Sequence, residues 1–362
     1  MKKLLINYSK LYDVVQDSYS LFSRKFLDGK SLMPMRYTLE LTYRCNLNCS
    51  FCYVGEKIKE NELSTEEWLN IIRQIPPHRL ITFVGGEVLI RKDFKIILDA
   101  ALKKGKVNIV TNGTLLDNEL LETFVNKKLL LLNLSIDAME EKHDRIRNRE
   151  GTFKKVITNL ERLVKARGNK KYPLIDIKTT VTEDNLDDIP EVYKLAQEYK
   201  ADFFTLSFLK ESDLQQNSNL RETFTEEFYR TKYPIKPYFE MNHFEQTYRK
   251  LQELSKNSKT AIRLYPKFDA NNEFEQIKKY YTEALDWEVE DVYKPCLYPW
   301  ANILITPQGN VYPCLSYKIG NVKNTPIKEV WNNEKFSAFR KNLKKYGVFN
   351  ACQACCQLKV KC

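Results

Sequence analysis

The chain has 362 residues, 43% of them hydrophobic, and a formal net charge of +11. That length and apolar content allow a sizeable core in two domains, or in one domain with a large appendage. No apolar run approaches the ~18–20 residues that span a bilayer, and Met1–Lys10 lacks a secretory h-region and cleavage site. The basic residues are mixed with 47 acids rather than gathered in a stripe. The expected protein is therefore cytoplasmic, with no transmembrane segment and with nucleic acid an unlikely partner.

In chain order, the first feature is an apolar series at helical spacing: Leu4, Tyr8, Leu11, Tyr12, Val15, Tyr19, Phe22 and Phe26, beside Lys2, Lys3, Arg24 and Lys25. Such a stripe is expected to pack against the rest of the protein, with a membrane-surface helix as the alternative. From Tyr37 to about Phe208, β-rich runs alternate with helical stretches. The runs are Tyr37–Thr42, Leu80–Val84, Val107–Val110, Leu129–Ile136, Ile175–Val181 and Phe203–Phe208. Between them lie helix patterns at Thr65–Ile75, Phe94–Lys104, Asn118–Asn126, Phe153–Ala166 and Ile189–Tyr199, the first opened by the capping box Ser64…Glu67. Such alternation predicts an α/β fold with a parallel sheet: a partial (β/α)6 barrel, or an open sheet if it does not curl. Residues 210–241 read as an insertion, His243–Ser255 as a helix and Ala261–Tyr265 as a further strand. The predicted units are a helical extension (1–36), the barrel (37–265), a linker with one helix (266–293) and a small cysteine-rich α+β domain (294–362).

Nine cysteines in a cytosolic chain argue for metal rather than disulfides. Cys45, Cys49 and Cys52 follow the first strand, and the other six fall between Cys296 and Cys362. In a parallel sheet the loops after the strands carry function. That rim gathers the first three cysteines with Gly85–Glu87, Asn112–Gly113 and Ser135–Asp137. Three thiolates on a [4Fe–4S] cluster leave one iron without a protein ligand; a zinc knuckle or buried free cysteines are the plainer alternatives.

The stretch Cys45-Asn-Leu-Asn-Cys49-Ser-Phe-Cys52-Tyr53 resembles the signature loop of the radical SAM superfamily. That resemblance implies a cluster on Cys45, Cys49 and Cys52 whose open iron binds S-adenosylmethionine. It also implies cofactor contacts from Tyr53, from Gly85-Gly86-Glu87 (with Val88 where proline is usual) to the amino group, and from Ser135 to the ribose. Arg147 is the implied partner of the carboxylate. His143 and Asp144 read as a helix-start or structural pair, and Asp137 stays open between roles.

Near the C-terminus, Ala301–Ile305, a turn through Gly309-Asn310, and Val311-Tyr312 read as a β-hairpin. A helix is expected at about Ile327–Lys345. With Gly320-Asn321, Trp331, Phe336 and Arg340, this region resembles the auxiliary domains called SPASM and twitch. The resemblance implies one [4Fe–4S] cluster on Cys296, Cys314, Cys352 and Cys355, by a count of four thiolates per closed cluster. A second cluster, a zinc ribbon, and Cys356 in place of Cys355 are the alternatives, with Cys362 left over.

The expected activity is reductive cleavage of S-adenosylmethionine to a 5′-deoxyadenosyl radical that abstracts a substrate hydrogen. The auxiliary cluster would assist electron transfer or substrate binding, with flavodoxin or ferredoxin as electron donor. Only about 36 residues precede the barrel, short for a leader-binding domain. The substrate expected first is therefore a small molecule, a sugar-type or lipid head group, with maturation of a ribosomal peptide second. A non-catalytic zinc- or nucleic-acid-binding protein is the reading from another class.

Overall fold

The computed structural model describes residues 2–52, 54, 61–208, 239–265, 268, 273–282, 293–314, 317–349, 352, 355 and 357–361. The expected insertion at 210–241 lies almost wholly outside the described residues, as do Tyr53, Cys356, Cys362 and most of the expected linker.

After helix α1 (Lys2–Phe26) the chain alternates strand and helix. The succession is β1 (Arg36–Thr42), α2 (Thr65–Gln74), β2 (Arg79–Gly85), α3 (Phe94–Lys104), β3 (Gly105–Thr111), α4 (Asn118–Asn126) and β4 (Leu131–Ser135). It continues through α5 (Glu140–Arg147), α6 (Thr152–Arg167), β5 (Leu174–Val181), α7 (Ile189–Glu198), β6 (Phe203–Phe208), α8 (Met241–Ser255) and β7 (Ala261–Tyr265). Strands β1 to β7 pair in sequence order, every pair parallel. The local signals behave as their chemistry requires. Ser64 Oγ accepts from the Glu67 N–H (3.3 Å) and the Glu67 carboxylate accepts from the Ser64 N–H (2.8 Å), closing the box that starts α2. Asp117 caps α4 by accepting from the Leu120 N–H at 2.8 Å.

The last part of the chain adds α9 (Glu273–Thr282), β8 (Asn302–Ile305), β9 (Asn310–Tyr312), β10 (Gly320–Asn321), α10 (Ile327–Trp331) and α11 (Glu334–Tyr346). The hairpin β8–β9 forms as expected, but its strands join the barrel sheet. β8 lies parallel to β1, in register from Arg36↔Asn302 to Leu39↔Ile305. The described strands thus form one ten-stranded sheet, β10-β9-β8-β1-β2-β3-β4-β5-β6-β7, with free ends at β10 and β7. β1 is interior, flanked on both sides, and buried along most of its length. One apolar cluster runs through both regions, from Leu39 and Phe83 to Ile303, Trp331 and Phe339.

Two local expectations need correction. The helix expected over Ile327–Lys345 is two helices, because Asn333 turns out of α10 and caps α11, its side chain accepting from the Phe336 N–H. The α1 stripe does not bury as a unit. Ser20 and Ser23 are fully buried and Tyr19 donates to the Met33 carbonyl, whereas Leu11, Val15, Phe22 and Phe26 face outward. The helix packs, but through its serine and tyrosine side.

Candidate functional site

The three-cysteine loop leaves β1 at the C-terminal rim, and its base is fixed by charge and by glycine. Glu62 accepts from Thr42 Oγ1 (2.7 Å), the Tyr43 N–H (2.9 Å) and Arg44 Nε (3.2 Å). Arg91, itself buried, donates to the carbonyls of Leu41 (3.0 Å) and Leu63 (3.2 Å) and pairs with Asp93 (2.7 Å). Gly85 and Gly86 press the end of β2 onto this backbone. The Gly86 N–H donates to Thr42 O (2.8 Å) and the Glu87 N–H to Arg44 O (2.9 Å). A Cβ on either glycine would sit 2.3 Å from a backbone oxygen, Thr42 O or Arg44 O, and Gly85 has φ +141°. Only glycine allows that approach.

Glu87 is fully buried. It accepts from the Leu89 N–H (3.0 Å), Thr111 Oγ1 (2.8 Å) and the Asn112 N–H (2.8 Å), tying the β2 loop to the β3 loop. Burial pushes its carboxyl pKa up, and those donors oppose the shift. Asn112 in turn donates to Asn46 Oδ1 (3.0 Å) and lies 4.0 Å from Cys45 Sγ, while Asn46 donates to Thr114 Oγ1 (2.9 Å). From the far side Arg149 donates to Asn46 O at 2.7 Å.

The sulfurs themselves are engaged. The Leu47 N–H donates to Cys45 Sγ (3.4 Å) and Arg147 Nη1 to Cys49 Sγ (3.5 Å). Cys45 and Cys49 are half-buried and Cys52 exposed, so the loop opens toward the rim. Burial raises the Cys45 and Cys49 thiol pKa values, and the Arg147 cation counters this at Cys49. Among the described residues no three His, Cys, Asp or Glu side chains converge tightly enough for a single metal ion. A cubane, whose four irons are spread over its corners, asks for wider spacing, and three thiols, two of them with N–H donors to sulfur, fit it.

Arg147 is nearly buried and also pairs with Asp137. Its Nε has no hydrogen-bond partner among the described residues, so a donor remains for the cofactor carboxylate expected there. Asp137, open on sequence grounds, is fully buried and accepts from the Thr180 N–H (2.9 Å). Ser135 ends β4 half-buried on the rim. Asp144 accepts from the N–H groups of Gly151 (2.6 Å) and Phe153 (2.7 Å), the structural role expected of it at the start of α6.

His143 is fully buried behind Asp137. Its Nδ1 accepts from the Asp137 N–H (3.1 Å), which leaves the neutral ring's proton on Nε2. Burial lowers its pKa to about 4, below the ordinary 6.5. The unfolded chain then binds this proton first, so stability falls as pH drops from 6.5 toward 4. One such group accounts for up to about 3 kcal/mol. Urea unfolding at pH 6.5 and 4.5 should show the loss in the wild type, and His143→Gln should flatten it.

The second cysteine group gathers under α11. The Cys296 N–H donates to Gly347 O (2.9 Å), the Cys352 N–H to Phe349 O (2.8 Å) and the Cys355 N–H to Cys352 O (3.0 Å). Tyr293 bridges Val360, folding the final segment back. Cys296, Cys314 and Cys352 are close enough to raise one another's pKa. With burial as the larger cause, Cys296 is pushed up to about 12 and Cys352 well up. Buried thiols that resist ionisation in the metal-free state suit a site where iron supplies the counter-charge.

Comparison with known proteins agrees with this geometry. The Radical SAM superfamily model matches residues 39–196, and the SPASM model, an iron–sulfur cluster-binding domain, matches residues 296–356. The chain belongs to the radical SAM superfamily. It carries a C-terminal SPASM domain, and its family is one of enzymes using S-adenosylmethionine with a [4Fe–4S] cluster. Among relatives, the sporulation killing factor maturation protein SkfB of Bacillus subtilis (strain 168) is 34% identical over 166 residues, 45% of this chain and 39% of that protein. The AdoMet-dependent heme synthase of Methanosarcina barkeri (strain Fusaro / DSM 804) is 29% identical over 325 residues, 85% of this chain and 84% of that protein. The match to SkfB thus covers well under two-thirds of that protein's length, whereas the match to the heme synthase runs nearly end to end. The Streptococcus suis SuiB structure with bound S-adenosylmethionine shares the fold, at TM-score 0.66, 15% identity, 91% of this chain and 73% of that one. No described helix is long and apolar enough to cross a membrane.

The sequence alone did not mark Glu62, Arg91, Asn46 or Arg149 as holders of the loop. They are common polar residues whose partners lie far off in the chain.

Proposed function

We propose that this enzyme cleaves S-adenosylmethionine reductively and abstracts hydrogen from a ribosomally made precursor peptide. The observation that carries the substrate class is the similarity of 166 residues of the chain to SkfB, a maturation protein. It favours peptide maturation over the sugar-type or lipid head-group substrate expected first. The non-catalytic zinc or nucleic-acid reading has no support from either family match. A sheet that stays open between β10 and β7 also gives an extended chain access to the rim.

Cys45, Cys49 and Cys52 hold the first [4Fe–4S] cluster, and Cys296, Cys314, Cys352 and Cys355 hold one auxiliary cluster. When bound, the first cluster and S-adenosylmethionine supply an electron and a 5′-deoxyadenosyl radical. Arg147, donating to Cys49 Sγ, lowers the negative charge on the loop and braces it against Asp137. Gly85 and Gly86 keep the β2 end flat against the loop, and Ser135 and Tyr53 offer polar contacts to the nucleoside. Glu87 acts indirectly, by positioning Asn112. A low-potential donor such as flavodoxin or ferredoxin supplies the electron.

A second reading, chemistry on a tetrapyrrole, rests on the near end-to-end match to the heme synthase. Anaerobically reconstituted enzyme with S-adenosylmethionine and reductant separates the two. A mass change in a short candidate precursor peptide, with its deuterium passing to 5′-deoxyadenosine, supports peptide maturation. An altered iron-coproporphyrin with the peptides untouched overturns it in favour of the second reading.

A further inference from the structure

Helix α1 is amphipathic the wrong way round for a helix that only packs on its own protein. Its inner side is polar. Ser20 and Ser23 are fully buried, Tyr19 donates to Met33 O, Asp17 pairs with Lys359, and Arg24 donates to Lys344 O at 3.2 Å. Its outer side is apolar. Leu11, Val14, Val15, Leu21, Phe22 and Phe26 are 48–61% exposed and fall on one face in two groups, with exposed Ser18 and Lys25 among them. The Phe22 and Phe26 rings lie 5.3 Å apart. Apart from these, only Leu32 and Ile96 among the described large apolar residues are comparably exposed. A contiguous patch of this kind marks an interaction surface.

The charge around the patch selects its occupant. Lys25, Lys30, Lys341, Lys344 and Lys345 are exposed about its C-terminal end. Asp28 at the rim is paired with Lys341 (2.8 Å), and Asp13 is half-buried. The first turn of α1 has no acid, although the helix dipole favours acids there. A second copy docking by the same face with the helices parallel would set lysines against lysines. An apolar stripe bordered by a cluster of bases fits the surface of an anionic lipid bilayer.

We infer that α1 docks this protein onto anionic membrane surfaces, lying flat with Leu11, Val15, Phe22 and Phe26 in the headgroup boundary. The helix crosses the N-terminal ends of β1 and β8, near Met33 and Trp300. Docking there leaves the three-cysteine rim at the other end of the sheet open to substrate and reductant.

Flotation of the full, cofactor-loaded protein with phosphatidylcholine vesicles, with and without phosphatidylglycerol, tests this. The protein should float with the anionic vesicles, fall off as salt rises, and stay unbound with phosphatidylcholine alone. Phe22→Ser with Phe26→Ser should weaken partitioning at least about tenfold, and Lys25→Glu with Lys30→Glu should do likewise. Cluster absorbance and S-adenosylmethionine cleavage should be unchanged in both variants, confirming the fold. Absence of flotation, or flotation indifferent to the serines, overturns the inference. So does a concentration-dependent dimer, seen by sedimentation, that the serine substitutions abolish; the face would then belong to a second copy.

Discussion

Alanine at Cys45, Cys49 or Cys52 should abolish S-adenosylmethionine cleavage under dithionite and remove about four irons per chain, leaving the C-terminal iron in place. The selectivity follows from the separation of the two cysteine groups. The first lies on the rim after β1, held by Glu62, Arg91 and the Gly85-Gly86 pair; the second lies under α11. Alanine at Cys296 or Cys352 should reverse the pattern, with the C-terminal iron lost and cleavage retained. Iron and sulfide analysis with chromatography of 5′-deoxyadenosine checks both. Loss of all iron from a single substitution in the first group would mean that the two sites are not independent.

The largest expected effect on stability is at Arg340, on α11. Its guanidinium is fully buried and stacked between Trp331 (4.1 Å) and Phe336 (3.8 Å). It donates to Pro299 O (2.9 Å), Gly29 O (3.2 Å), Trp331 O (3.0 Å) and Asn332 Oδ1 (3.1 Å). One side chain thus joins the turn after α1, the entry to β8 and the helices α10 and α11. Arg340→Ala strands those acceptors in the core and opens a cavity, for a cost of about 3–5 kcal/mol. Arg340→Lys cannot reproduce the planar fork and should recover only part of it. An exposed arginine such as Arg73, paired with Glu66, should cost under about 1 kcal/mol when removed. Urea midpoints of the three variants decide whether Arg340 is the hub described.

The sequence carried the barrel elements well because their signals are local. The run at Phe203–Phe208 and the helix at Phe94–Lys104 have the bounds their periodicity and flanking residues predict. The cysteine loop and Gly85-Gly86 were legible as motifs, since few other roles demand those residues at those spacings. What each side chain faces was not legible. The pairing of β1 with β8 joins residues over 260 positions apart, and nothing in either strand's alternation names its partner. Arg147 read as a carboxylate partner, and its further contacts with buried Asp137 and Cys49 had no signal in the sequence. The α1 stripe shows the same limit: periodicity tells that a helix has two faces, and only packing tells which is inside.

Electron paramagnetic resonance of the reduced protein, with the auxiliary site removed by Cys296→Ala and Cys352→Ala, tests the three-thiolate centre most directly. Added S-adenosylmethionine should change the signal of the remaining [4Fe–4S] cluster, because one of its irons has no protein ligand. A signal indifferent to saturating S-adenosylmethionine, or the assembly of zinc in place of iron, would contradict the account.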